Sequence, residues 1–153
     1  MLRFTTHPMK QSGKASLVMI ASIVAVVLVV ALFAFSKESI ASVGAKFMNA
    51  LYSGNVKTLT DMTYLGNQSR EDMEKQWDFA VNKAAPYYLF EYRIVAARQI
   101  DPNTASVTMQ VTRDVLRSGA YAEKFELPLV RVDDGWKVDV RALSREMYPA
   151  LPR

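Results

Sequence analysis

An unbroken apolar run from Ala15 to Phe35 constrains this chain more than any other feature. It reads ASLVMIASIVAVVLVVALFAF, twenty-one residues with no charge, glycine or proline and only two serine hydroxyls. Wound as a helix at about 1.5 Å per residue, the run is roughly 31 Å long, which matches the roughly 30 Å hydrocarbon core of a bilayer. The sequence predicts one transmembrane helix over 15–35. Arg3, Lys10 and Lys14 precede it, and the first carboxylate in the chain is Glu38. Basic flanks stay on the cytoplasmic side. Residues 1–14 are therefore expected to form a cytoplasmic arm, and residues 36–153 an extracytoplasmic domain. Ala34-Phe35-Ser36 loosely fits a signal-peptidase site, but secretory apolar cores run about 7 to 15 residues, so the length favours an uncleaved anchor.

The charge balance reinforces this topology. The formal net charge of +4 suggests a nucleic-acid binder until the charges are partitioned. Three of the nineteen basic residues precede the run and all fifteen acids follow it, which leaves the remainder near +1 with its signs interspersed. No basic field of the kind that releases counterions from nucleic acid is present, and no nucleic-acid partner is expected. The absence of cysteine excludes disulfides and thiolate metal sites. Within the span, Ala21, Ser22 and Ala25 form a small-residue patch on one helix face, a candidate site for close packing of another membrane helix.

Residues 36–153 are enough for one domain with a core and too few for two. Ser36 or Ser39 caps a predicted helix whose apolar stripe is Ile40, Val43, Phe47 and Ala50/Leu51, stopped by Gly54. Asn55 caps a shorter one carrying Val56, Leu59 and Met62, which ends before Gly66. Ser69 with Asp72 three residues on gives a capping-box pattern. The third stripe, Met73, Trp77, Ala80/Val81 and Ala84, ends at Pro86.

Beyond Pro86 the period changes to two. Tyr87–Ile100 reads as a long strand, followed by a turn at Asp101-Pro102-Asn103. Ala105, Val107, Met109 and Val111 then alternate with polar residues. After Ser118-Gly119, Phe125, Leu127 and Leu129 alternate with Lys124, Glu126 and Pro128, and the proline implies an edge or a bulge. Asp133-Asp134-Gly135 turns into Trp136, Val138 and Val140. Helices followed by an antiparallel meander predict an α+β domain with its helices on one concave sheet face, and Trp136 is expected in the core.

The segment Ser39–Val56, with its helix, Phe47, small residues, Leu51 and the turn at Gly54, and the closing strand Asp134–Val138 resemble the nuclear transport factor 2-like superfamily. In that superfamily a cystatin-like curved sheet wraps a long helix. The resemblance spans essentially the whole domain and implies a cone between sheet and helices. It says little about activity, since isomerases, dehydratases, transport adaptors and secretion scaffolds share the fold. The topology, an N-terminal cytoplasmic arm, one span and a domain of this kind, is similar to VirB-type secretion scaffolds. That likeness implies a bacterial inner (plasma) membrane location with the domain periplasmic or extracellular.

An isomerase-like site would need a carboxylate base and acidic donors converging in the cone. Asp61, Asp72, Asp78, Asp101, Asp133 and Asp134 instead fall at helix ends, caps, turns and a solvent-facing helical position. The single histidine, His7, lies in the arm across the membrane from the domain, which removes histidine catalysis and histidine metal sites from it. No cofactor motif is present. Tyr87, Tyr88 and Tyr92 are candidate pocket-lining residues. Met147, Tyr148 and Leu151, in a proline-bearing tail, are candidates either for docking on a partner or for folding back on the domain. The expected function is a non-catalytic, bitopic scaffold or accessory subunit of an inner-membrane complex, whose partners are the bilayer and other subunits of that complex. The alternative is a tethered small-molecule binder or enzyme using the cone. A homodimer formed by pairing of sheet faces is compatible with either.

Overall fold

The first helix begins where a serine can cap it. In the computed structural model, which describes residues 38–113, 120–133 and 135–153, helix α1 spans Ile40–Ser53 and the Ser39 hydroxyl accepts the Ser42 amide at 3.1 Å. Gly54 ends it in the left-handed region at φ 64°, and the Asn55 amide reaches back to the Ala50 carbonyl at 2.9 Å. This is the arrangement that satisfies orphan carbonyls at a helix end. Helix α2 spans Val56–Met62, with the Asn55 side chain accepting the Thr58 amide at 3.0 Å. Helix α3 spans Arg70–Asp78. At its start the Ser69 hydroxyl accepts the Asp72 amide at 3.1 Å, while the Asp72 carboxylate accepts from that hydroxyl at 2.7 Å instead of returning to the backbone.

The third helix departs from its expected stripe near the end. Residues Phe79–Ala84 wind as a π-helix, in which the Ala85 amide bonds the Ala80 carbonyl five residues back at 3.1 Å. The wider turn delays the apolar face by one residue, so Ala84 is exposed and Ala85 is buried.

Four antiparallel strands follow in the order β1-β2-β3-β4, namely Phe90–Gln99, Thr104–Arg113, Ala122–Val132 and Gly135–Val138. The first strand is shorter than Tyr87–Ile100 because the Tyr88 amide closes a turn on the Ala85 carbonyl at 3.2 Å. A bulge between Ile94 and Ala96 leaves Val95 without a partner on β2. Pro128 lies inside β3 opposite Ser106, one step beyond the last β3–β4 pair, Leu129 with Val138. The missing amide therefore falls where β4 has ended.

Glu38–Arg153 forms one compact unit. Its sheet turns Ala105, Val107, Met109, Val111, Phe125, Leu127 and Leu129 toward the helices, and all seven are buried. Helix α1 approaches β2 closely at Gly44, where an added Cβ would stand 3.0 Å from Val107 Cγ1. At the centre Trp77 is fully buried, edge-on to Phe47 with ring centroids 5.9 Å apart. Its indole N–H donates to Thr63 Oγ1 at 3.0 Å, and that hydroxyl donates to the Leu59 carbonyl at 2.7 Å. Trp136 is half-buried, not a core residue, with the Arg131 guanidinium 5.4 Å above its ring. It occupies the correct sheet face and packs against the margin of the core.

Among the described residues no helix is long and apolar enough to cross a membrane. The predicted span 15–35, its patch Ala21, Ser22 and Ala25, and His7 all lie outside the described residues, as do Ser118, Gly119 and Asp134.

Thr63→Val keeps the side-chain shape and strands the buried indole N–H. We expect a loss of about 1–3 kcal/mol in urea unfolding, whereas an unchanged midpoint would show that the bond contributes nothing.

Candidate functional site

The cone is filled from below by Trp77, Phe47, Met48, Met73 and Leu59, and closed at its open end by the chain's last residues. Leu143, Met147, Tyr148 and Leu151 are each no more than 3% exposed. The tail residues Met147, Tyr148 and Leu151 thus fold back on their own domain. Tyr148 stacks edge-on against Tyr88 with centroids 5.1 Å apart and against Phe90 at 6.1 Å. Burial raises its phenol pKa above the ordinary value, and Tyr88 adds to the effect.

Of the three tyrosines singled out from sequence, the structure brings Tyr88 and Tyr92 to the inner face and leaves Tyr87 on a turn, 90% exposed. The Tyr92 hydroxyl donates toward Asn49 Oδ1 at 2.7 Å and lies 3.2 Å from the Ala45 carbonyl, fastening β1 to α1. Desolvation raises its pKa. With both pKa values raised, the buried Tyr148 and half-buried Tyr92 phenols stay neutral across the physiological range.

Arg113 is the polar centre of this end, and the sequence reading passed over it. It donates to the Glu146 carbonyl at 2.7 Å and to the Tyr121 hydroxyl at 2.8 Å, and it pairs with the Glu123 carboxylate. Its guanidinium also stands 5.1 Å from the Tyr121 ring centroid and 5.8 Å from that of Phe125. Burial opposes its charge, but the oxygens of Tyr121, Glu123 and Tyr88 prevail and raise its pKa. The available signal was parity. Counting on by twos from Ala105 through Val111 places Arg113 on the core face, where a cation requires partners. The group ties β2 and β3 to the tail.

Among the described residues, the aspartates considered as catalytic candidates occupy peripheral positions. Asp61 pairs with Arg70, and Asp78 accepts from Asn82 at 2.7 Å. Asp101 closes the β1–β2 turn through the Asn103 and Thr104 amides at 2.7 Å. Among the described residues the buried polar side chains are Thr60, Thr63 and Ser106, and no group of three or more His, Asp or Glu is placed to hold a metal.

Clefts lie at the periphery of the described residues. One of about 420 Å³ runs between α3 and the tail and is lined by Lys75, Gln76, Phe79, Arg145, Leu151 and Arg153. Another, of about 260 Å³, lies beside α2 and includes Asp61, Tyr64 and Lys137. The third, of about 320 Å³, lies over the start of β1 and the end of β2 at Glu91, Tyr92, Arg93, Gln110 and Thr112. None is lined by Trp77, Phe47 or Met109.

The outer sheet face is polar and internally bonded. Glu126 accepts from Ser106 and, at 2.7 Å, from Thr108, while Arg93 donates to Gln110 at 2.7 Å. The Ser106 hydroxyl is the main cause of a lowered Glu126 pKa. Burial works against it, and Thr108 and Arg98 support it.

No protein-family model matches the chain, and neither does any curated protein. Solved structures do match it. A domain of unknown function with a cystatin-like fold from Nostoc punctiforme aligns at TM-score 0.50 and 9% identity, covering 64% of this chain and 69% of that one. A nuclear transport factor 2-like protein of unknown function from Shewanella oneidensis aligns at TM-score 0.46 and 13% identity, covering 65% and 90%. A ketosteroid isomerase-like protein from Erwinia carotovora atroseptica aligns at TM-score 0.47 and 9% identity, covering 65% and 87%.

A carboxyl whose pKa is lowered by folding adds stability that is present above its unfolded value and lost as pH falls through its folded value. Glu126→Gln should therefore be less stable than the parent near pH 7, with the difference closing as pH drops through the carboxylate range. A gap that stays constant with pH, measured by urea unfolding at each pH, would contradict this. Three helices laid on a curved four-stranded antiparallel sheet, matched at this level of identity, establish a nuclear transport factor 2-like, cystatin-like α+β fold and nothing finer.

Proposed function

We propose that this protein is a bitopic inner-membrane scaffold or accessory subunit that acts through the surface of its extracytoplasmic domain. The observation that carries this reading is the filled cone. An enzyme or small-molecule carrier of this fold works in the space between sheet and helices, and here that space holds Trp77, Phe47, Met48, Met73 and Met109 with the tail above them. The alternative, a tethered small-molecule binder or enzyme, would need a polar cavity with a buried carboxylate in that same space.

The apolar run at 15–35 and its basic flank supply the rest of the proposal. Tethering fixes a domain's orientation and raises its effective concentration near a membrane partner, an advantage for an adaptor. The likeness in topology to VirB-type scaffolds supports the same direction.

Full-length protein expressed at its native level and extracted in mild detergent should bring down membrane-complex subunits in fixed stoichiometry. Recovery as an isolated species without partners would overturn the scaffold reading.

A further inference from the structure

Strand β1 is an edge whose second half is bare on both faces. Nothing among the described strands pairs with its outer side. Every residue from Val95 to Gln99 is exposed, Val95 is 45% exposed, and the flanking Leu89 and Ile100 are 44% and 62% exposed. An unpaired edge of ten residues is a template for another strand.

The bulge restricts which strand can bind. Before it, Glu91 and Arg93 lie on the outer sheet face, opposite Thr112 and Gln110. After it, the outer residues are Ala96 and Arg98, opposite Thr108 and Ser106. The facing residues thus switch from odd to even numbers at Val95. Antiparallel partners must share a face, so a second copy of β1 matches along its whole length only in a register centred on the bulge.

That register, with its axis between Ile94 and Val95, overlaps all ten residues. It sets Glu91 against Arg98 of the second copy and Arg98 against its Glu91, with Arg93 against Ala96 and Leu89 against Ile100. A shift of one pair toward the C-terminus sets Arg93 against Arg98, and a shift the other way leaves Glu91 against Ala96. Charges and a bulge are the devices by which edges resist indiscriminate pairing. Here the same features select one partner and one register.

We propose that two copies of this chain pair through β1 in this register, joining their sheets across a two-fold axis. The polar, internally bonded outer face around Glu126 is a poor seat for the alternative in which two sheets stack face to face. The inference concerns self-association and does not depend on the scaffold reading.

The chain contains no cysteine, which allows a direct test on full-length protein in mild detergent. Glu91→Cys and Arg98→Cys variants, mixed and oxidised, should give a disulfide-linked dimer that neither variant gives alone, because in this register the two copies' positions 91 lie at opposite ends of the paired strands, as do their positions 98, too far apart to meet. In parallel, Glu91→Arg or Arg98→Glu alone should weaken the dimer about tenfold, since each contact occurs twice, and the double reversal should restore it. Circular dichroism of each variant confirms folding. Absence of the mixed cross-link, cross-linking by either variant alone, or failure of the double reversal to restore the dimer would overturn the proposal.

Discussion

The domain is organised around Trp77. Its ring fills the narrow part of the cone against Phe47, and its one polar atom is satisfied by Thr63, whose hydroxyl passes the bond on to Leu59. A buried indole with an unmet donor would cost much of what its burial contributes. The chain Trp77–Thr63–Leu59 therefore lets the largest side chain occupy the centre, and it joins α3 to the end of α2. The same junction meets the sheet, because Thr63 forms an isolated bridge with Val138 and the Tyr64 amide bonds the Val138 carbonyl at 2.8 Å. With the centre occupied, the remaining elements can only wrap it.

The tail completes that wrapping. Met147, Tyr148 and Leu151 seal the open end, and Arg113 holds the Glu146 carbonyl so that the sheet and the tail move together. Arg145 donates to the Leu151 carbonyl at 2.6 Å and the Arg153 amide donates to Gln76 Oε1 at 2.9 Å, pinning the last residues along α3. The described interior is packed with apolar side chains, and exposed apolar groups lie at the periphery, along the edge of β1 and at Phe79 beside the tail cleft.

The elements were legible in sequence wherever local chemistry decides them. Ser39, Asn55 and Ser69 mark helix starts because their side chains meet orphan amides, and Gly54 marks a stop because its φ is positive. The inward residues of β2 and β3 follow from alternation alone. Other features depended on contacts distant in sequence. The π-turn at Phe79–Ala84 follows from how α3 meets the rest of the core, and nothing in Phe-Ala-Val-Asn-Lys-Ala signals it. The bulge at Val95 sits in an apolar stretch that reads as ordinary strand. Trp136 has the right parity, yet it sits half-buried at the margin of the core with Arg131 over its ring. Tyr87, Tyr88 and Tyr92 looked alike as a cluster, and the turn at Ala85–Tyr88 sends the first outward and the others in. Arg113 was recoverable from parity, whereas its partners Tyr121, Glu123 and Glu146 became visible only with the fold.

The central claim, that the cone is solid, is tested most directly by hydrogen exchange of the two indole N–H groups, Trp77 in the interior and Trp136 at the margin. The Trp77 proton is expected to exchange only through global unfolding, with an opening free energy equal to that from urea unfolding, while Trp136 exchanges through smaller openings. A Trp77 proton that exchanges as fast as that of Trp136 would mean solvent reaches the centre of the cone, and would contradict the claim.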